Sequence, residues 1–125
     1  MATTDNGLQR SERLRSFGAI RRLFGEGRGG FVYPIRYMVY TEFDAELSAA
    51  VLFSTPKKFH KRANRRNLLR RRMREAYRTN KQILAASGSE CAIHLALIYS
   101  TKEIHDYKTI ENAIKRILKS IAESL

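Results

Sequence analysis

The sequence predicts an α+β domain in which helices are layered on a sheet. Three observations carry that expectation. Apolar residues recur at three- and four-residue spacing around residues 11–24, 66–84 and 107–121, the period of amphipathic helices. Residues 31–43, 48–55 and 91–99 are short and rich in aromatic and β-branched side chains, the pattern of strands. Glycines 25–30, Pro56 and Ser87-Gly88-Ser89 break the chain between them. The order is α-β-β-α-β-α, and the pattern leaves room for one more short strand.

Residues 1–10 are polar and aperiodic and read as a frayed, flexible terminus ahead of a single domain over 11–125. With 125 residues and 43% hydrophobic content, one compact core is the expected size. The first helix is predicted from Ser11, with Leu14, Phe17, Ile20 (or Arg21), Leu23 and Phe24 on its stripe. Gly25, Gly27, Gly29 and Gly30 then read as a connector. Their spacing fits neither of the glycine-rich phosphate-binding patterns. In the strand that follows, Pro34 marks a start. Ile35, Tyr37 and Val39 share one face, and Arg36, Met38 and Tyr40 the other. Asp44–Leu47 reads as a turn. The second strand centres on Val51, Leu52 and Phe53, and Pro56 closes it.

The stretch from Lys57 to Lys81 holds twelve Lys or Arg and one acid, Glu75. The rest of the chain has twelve bases against eleven acids, so nearly the whole net charge of +12 sits in this segment. An apolar stripe runs through it. At 100° per residue from Leu69, the residues Met73, Ala76, Tyr77, Asn80 and Leu84 fall within about a quarter-turn of one another. Arg70, Arg71, Arg74 and Arg78 gather on a neighbouring face, and Asn64 or Asn67 is placed to cap the start. Like charges at i,i+4 each cost roughly 0.2–0.5 kcal/mol. A solvated helix face mixes signs and this one does not, so the segment predicts a polyanionic partner. The last strand, Cys91–Tyr99, is apolar enough to be buried. Asp106 is then the expected N-cap of a final helix whose stripe is Tyr107, Ile110, Ala113 (or Ile114), Ile117 and Ile121.

A pI near 10.4 points to nucleic acid rather than to a membrane, because no apolar run approaches twenty residues. The single cysteine, Cys91, forms no internal disulfide, which suits the cytoplasm. His60, His94 and His105 are scattered, without zinc-ligand spacing. No nucleophile–base pair or paired carboxylates stand out, so the chain reads as a binder and not as a self-sufficient catalyst. No helix-turn-helix, zinc finger or zipper accompanies the basic helix, which disfavours a DNA-binding regulator. Ile20 and Phe24 of the first helix, with Arg36, Met38 and Tyr40 of the first strand, form a second candidate surface. Aromatic groups beside a guanidinium suit unpaired nucleotides, and charge and stacking together favour RNA.

The run Lys57-Lys58, then Arg66-Asn67-Leu68-Leu69-Arg70-Arg71-Arg72-Met73-Arg74-Glu75-Ala76-Tyr77-Arg78, resembles the signature of the bacterial ribonuclease P protein family. The Leu14…Ile20…Leu23-Phe24…Gly27 pattern is similar to that family's first helix and loop. Element order agrees from about residue 11 to 121. Leu68 departs from the family's arginine at that position, with Arg62 and Arg65 nearby to take its place. Ile20 stands where an aromatic is frequent, and one extra residue separates Lys58 from Arg66.

The resemblance implies an α-β sandwich with a mainly antiparallel sheet. The basic helix would lie in a left-handed βαβ crossover, as in the second domain of a small-subunit ribosomal protein. It also implies that Lys57, Lys58, Arg62, Arg65, Arg66, Asn67, Arg70, Arg71, Arg74 and Arg78 bind the catalytic RNA, one protein to one RNA. The cleft of Ile20, Phe24, Arg36, Met38 and Tyr40 would hold the single-stranded 5′ leader of precursor tRNA. Catalysis would rest with the RNA, using Mg²⁺ that the RNA chiefly holds, with no catalytic residue or metal ligand in the protein. A ribosomal or other structural RNA-binding protein is the alternative reading of the same layout.

Overall fold

The computed structural model describes residue 14 and residues 17–43, 48–85 and 91–125. The expected frayed terminus, the Asp44–Leu47 turn and the Ser87–Ser89 breaker lie outside the described residues. The elements are α1 (Phe17–Glu26), β1 (Arg28–Val32), β2 (Ile35–Phe43), β3 (Ser48–Ser54), α2 (Ala63–Asn80), the one-turn α3 (Gln82–Ala85), β4 (Cys91–Tyr99) and α4 (Tyr107–Ser124). The four strands form one sheet in the order β1-β2-β4-β3. The β1–β2 and β2–β4 pairs are antiparallel, and β3–β4 is parallel. The basic helix α2 is therefore the crossover that carries the chain from β3 to its parallel neighbour β4.

Strand alternation divides the core in two. Ile35 and Val39 of β2, Val51 of β3, and Ile93, Leu95, Leu97 and Tyr99 of β4 face the helical layer. There they meet Leu69, Met73, Ala76 and Tyr77 of α2 and Ile110, Ile114, Ile117 and Ile121 of α4. The whole predicted α2 stripe is buried, Asn80 included, and Leu84 continues it in α3. Asn80 is admitted because its amide donates to the Ala76 carbonyl at 2.8 Å and to Glu111 Oε2 of α4 at 3.2 Å. On the opposite face Leu23 packs with Ala96 and Leu14, flanked by Ala19, Ile20, Met38, Tyr40, Ala50 and Leu52. Only α1 of the described helices covers that side. The expected cap of α4 is present: Asp106 Oδ1 accepts from the Thr109 amide at 2.9 Å.

Three expectations are corrected. The glycine segment is not merely a connector, because Arg28–Val32 forms the edge strand β1. A Cβ on Gly30 would come within 2.4 Å of the Tyr37 ring, and one on Gly29 within 2.9 Å of Met38 Sδ. These glycines serve close packing between paired strands, which side-chain patterning cannot reveal. The segment then turns at the cis Tyr33–Pro34 bond, and β2 begins at Ile35. Leu14 does not lie on the first helix. Its amide donates to the Val51 carbonyl at 2.9 Å, on the edge strand β3, and its side chain is buried beside Leu23. Neither Asn64 nor Asn67 caps α2. The helix starts at Ala63 after an extended Arg62 (φ −81°, ψ 128°), so both asparagines are already helical.

Candidate nucleic-acid interface

The approach to α2 is a tightly held loop that presents cations. The Pro56 carbonyl accepts from the Phe59 and His60 amides at 3.1 and 3.4 Å, a turn that leaves Lys57 and Lys58 exposed. His60 is buried and anchors this turn through Nε2, 2.8 Å from the Thr101 carbonyl. Arg66 Nη1 donates to the carbonyls of His60 and Lys61 at 3.1 and 2.7 Å, which fixes the loop against the first turn of the helix. Around this point Lys57, Lys58, Lys61, Arg62, Arg65 and Asn67 are all exposed. Arg62, at the N-cap, provides no side-chain acceptor, and the first turn contains no acid. The free N–H groups and the positive end of the helix dipole therefore add to the surrounding side-chain charge.

Further along α2 the four grouped arginines differ in their freedom. Arg71 and Arg74 are exposed. Arg70 is half-buried. Its Nη2 donates to Thr55 Oγ1 at 3.3 Å, and its Nε is enclosed without a partner. Arg78 pairs with Glu75 one turn back, and this hydrogen bond holds the Glu75 carboxyl below its ordinary range. Arg72, outside the grouped face, donates to the His105 carbonyl and ties α2 to the entry of α4.

The second surface lies on the α1 side of the sheet. Ile20, Met38 and Tyr40 come together there around Leu23 and Ala96. Phe24, 47% exposed, stands at the end of α1, and exposed Arg36 lies one alternation from Met38 on β2. Arg22 braces Tyr40, with its guanidinium 5.8 Å from the ring centroid and Nη1 3.7 Å from Glu42. Two residues missed in the sequence belong to this surface. Phe31 of β1 sits opposite Arg36 in register, and the Arg36 guanidinium lies 5.3 Å over its ring. His94 sits opposite Tyr40, with ring centroids 6.1 Å apart, and its Nδ1 is enclosed without a partner. Period-two alternation marks both residues, but only the pairing register places them beside Arg36 and Tyr40. Among the described residues no group of three or more His, Cys, Asp or Glu could hold a metal ion.

One surface thus combines a rigid cationic helix start with two exposed guanidiniums and the other offers a part-aromatic sheet face, arrangements suited to phosphates and to unpaired bases respectively. Comparison with known proteins agrees. The model of the family Ribonuclease P matches residues 8–122. A ribonuclease P protein component from Porphyromonas gingivalis is 39% identical over 120 residues, covering 93% of this chain and 87% of that protein. One from Chlorobaculum tepidum is 32% identical over 132 residues, with coverages of 93% and 83%. The solved RNase P protein from Thermotoga maritima superposes with a TM-score of 0.70 at 24% identity, covering 87% of this chain and 96% of that one.

Proposed function

The chain belongs to the ribonuclease P protein family, and from that premise we propose how its two surfaces divide the work of tRNA 5′-end processing. The alternative of a structural RNA-binding protein is not favoured, since the family match spans nearly the whole chain. The α2 surface binds the ribonuclease P RNA, one protein to one RNA, in preference to DNA. Lys57, Lys58, Arg62, Arg65, Asn67, Arg71 and Arg74 engage phosphates directly. Arg66 and Arg70 contribute charge while also holding the loop and β3, and Arg78 acts as one half of a pair with Glu75. The sheet face of Ile20, Phe24, Arg36, Met38 and Tyr40 takes the 5′ leader of precursor tRNA.

The ribonuclease is the complex, and in this reading its catalytic centre is in the RNA. In this reading Mg²⁺ is held chiefly by the RNA, and the protein's exposed cations act on phosphates instead. The protein's residues bind phosphates and so lower the repulsion between two RNA chains. Less added Mg²⁺ is then needed to bring them together. The complex works in the cytoplasm, and no described helix is long and apolar enough to cross a membrane.

The observation that carries this reading is the concentration of exposed cations at an uncapped helix start beside free Arg71 and Arg74. The test mixes the protein, its cognate ribonuclease P RNA and 5′-labelled precursor tRNA at low Mg²⁺, with each component also run alone. Cleavage at the mature 5′ end in the full mixture, and in neither the RNA-alone nor the protein-alone lane, is the expected result. Cleavage by the protein alone would overturn the placement of catalysis. Tight RNA binding without rescue would overturn the processing role.

A further inference from the structure

A second cationic surface lies on α4, apart from both regions described above. Tyr33, Thr109, Asn112, Lys115, Arg116 and Lys119 line a cavity of about 480 Å³ between α4 and the β1–β2 turn. The sheet order β1-β2-β4-β3 puts β1 and β3 at opposite edges. Helix α4 packs on β1 and β2, whereas α2 packs on β3. The cavity therefore opens on the flank of the helical layer away from the basic helix, and on the opposite side of the sheet from α1.

Its composition is not that of an ordinary solvated helix face, because no acid among the described residues lines it. Between Asp106 and Glu123 the sole acid of α4 is Glu111, and Glu111 is turned to Asn80 of α2. Among the described residues no carboxylate lies within ion-pair distance of Lys115, Arg116 or Lys119. Arg28 of β1, whose Nη2 donates to Ser124 Oγ at 3.3 Å, adds a further cation to the same flank. Three positive side chains without counter-charges, beside the hydroxyl of Thr109 and the amide of Asn112, form an anion-binding set.

Tyr33 gives the cavity its second property. Its hydroxyl donates to Glu103 Oε1 at 2.8 Å and lies 3.2 Å from His105 Nε2 and 3.3 Å from Thr101 Oγ1. Its ring meets Phe31 and His105 edge-on, at centroid distances of 6.2 and 5.3 Å. Yet the residue is 50% exposed. An aromatic ring held this firmly and left half open loses little freedom when a base stacks on it. The cavity volume lies within the range of small-molecule sites, room for a nucleotide and too little for a duplex.

We propose that this cavity is a second RNA site. It takes a phosphate of a single-stranded segment against Lys115, Arg116 and Lys119 and stacks the adjoining base on Tyr33. The strand comes from the ribonuclease P RNA or from the precursor tRNA, which offer the same chemistry.

The site is tested first on the protein alone, so the outcome does not depend on reconstituted cleavage. Isotope-labelled protein is titrated with a hexauridylate and, separately, with inorganic phosphate, while backbone amide shifts are followed. Hexauridylate should move the amides of Tyr33, Thr109, Asn112 and Arg116 as a group distinct from α2, and phosphate should move the same group more weakly. The triple variant Lys115→Gln, Arg116→Gln and Lys119→Gln keeps good helix formers at exposed or half-exposed positions. It should lose this group while the α2 shifts persist, and its log–log salt slope should become shallower by about 0.7 as the one single-strand phosphate contact is removed. Shifts confined to α2 and the sheet face, or an unchanged slope, would overturn the proposal. Phosphate binding without hexauridylate binding would reduce the cavity to an anion site and overturn the RNA assignment. A photo-crosslinking residue at Asn112 in the assembled complex, with each RNA labelled in turn, then identifies the source, and crosslinks to neither RNA count against the site.

Discussion

Replacing Arg71 and Arg74 together by alanine isolates the electrostatic part of RNA binding. Both guanidiniums are exposed, so folding stability should change by no more than about 0.5 kcal/mol. If each meets one phosphate of a duplex segment, the slope of log K against log salt becomes shallower by about 1.8, or 0.9 per contact. Between about 50 and 200 mM salt, a fourfold change, the wild-type advantage over the double variant should then shrink about 12-fold, which is 4 raised to the power 1.8. Filter binding to the ribonuclease P RNA across that range measures it. The control is Glu75→Gln combined with Arg78→Ala, which removes an ion pair of no net charge and should leave the slope unchanged. An unchanged slope for Arg71→Ala/Arg74→Ala, or an equal change in the control, would refute the argument that freedom from internal pairing decides which arginines bind phosphate.

Three further outcomes follow from the geometry. Gly27→Ala would place a Cβ 2.3 Å from the Leu23 carbonyl and 2.9 Å from that of Val39, both backbone atoms; urea unfolding should show a loss of about 1–3 kcal/mol, as for other overpacked sites. Asp106→Ala should lower the unfolding midpoint near neutral pH by removing the α4 cap. Because its hydrogen bond from Thr109 holds the Asp106 carboxyl below its ordinary value, the cap's contribution is full above the unfolded carboxyl pKa of about 3.9. It is lost as pH falls through the lower folded value, so wild type and variant should converge in acid. Tyr40→Ala should weaken precursor tRNA more than mature tRNA in the assembled complex, and equal losses would remove the leader from this face.

How much of this was legible depended on whether a feature is local. The α2 stripe from Leu69 to Asn80, the α4 cap at Asp106 and the alternation of β2 are set by neighbours within one or two turns, and period and residue type revealed them. Strand β1 was hidden because Gly29 and Gly30 have no side chains to alternate, and its existence depends on pairing with β2 from Arg28↔Val39 to Val32↔Ile35. Leu14 shared the helical spacing of α1 but is bonded to Val51, a contact thirty-seven positions away that no periodicity encodes. The ranking of the basic residues was equally hidden. Composition makes Arg66, Arg70, Arg71 and Arg74 look alike, whereas the loop carbonyls of His60 and Lys61 and the hydroxyl of Thr55 engage the first two and leave the others free.

The two surfaces also adjoin, and that sets the path of a bound strand. On the α1 side of the sheet Ser54, Ile98 and Arg36 are in register across β3, β4 and β2, and Phe31 of β1 completes the row. Thr55, the residue after Ser54, holds Arg70 of α2. The basic helix therefore meets the row at its β3 end, while Arg36 and Phe31 stand up to three strand spacings away, roughly 14 Å at most. A leader lying along this row meets Arg36, while Arg74 of α2 serves the ribonuclease P RNA. Precursor tRNAs with leaders shortened one nucleotide at a time should therefore lose their sensitivity to Arg36→Ala at one length and keep their sensitivity to Arg74→Ala at every length. Sensitivity to Arg36→Ala that persists however short the leader would show that the leader does not cross the sheet along this row, and would leave the Phe31–Arg36 pair with a structural role alone.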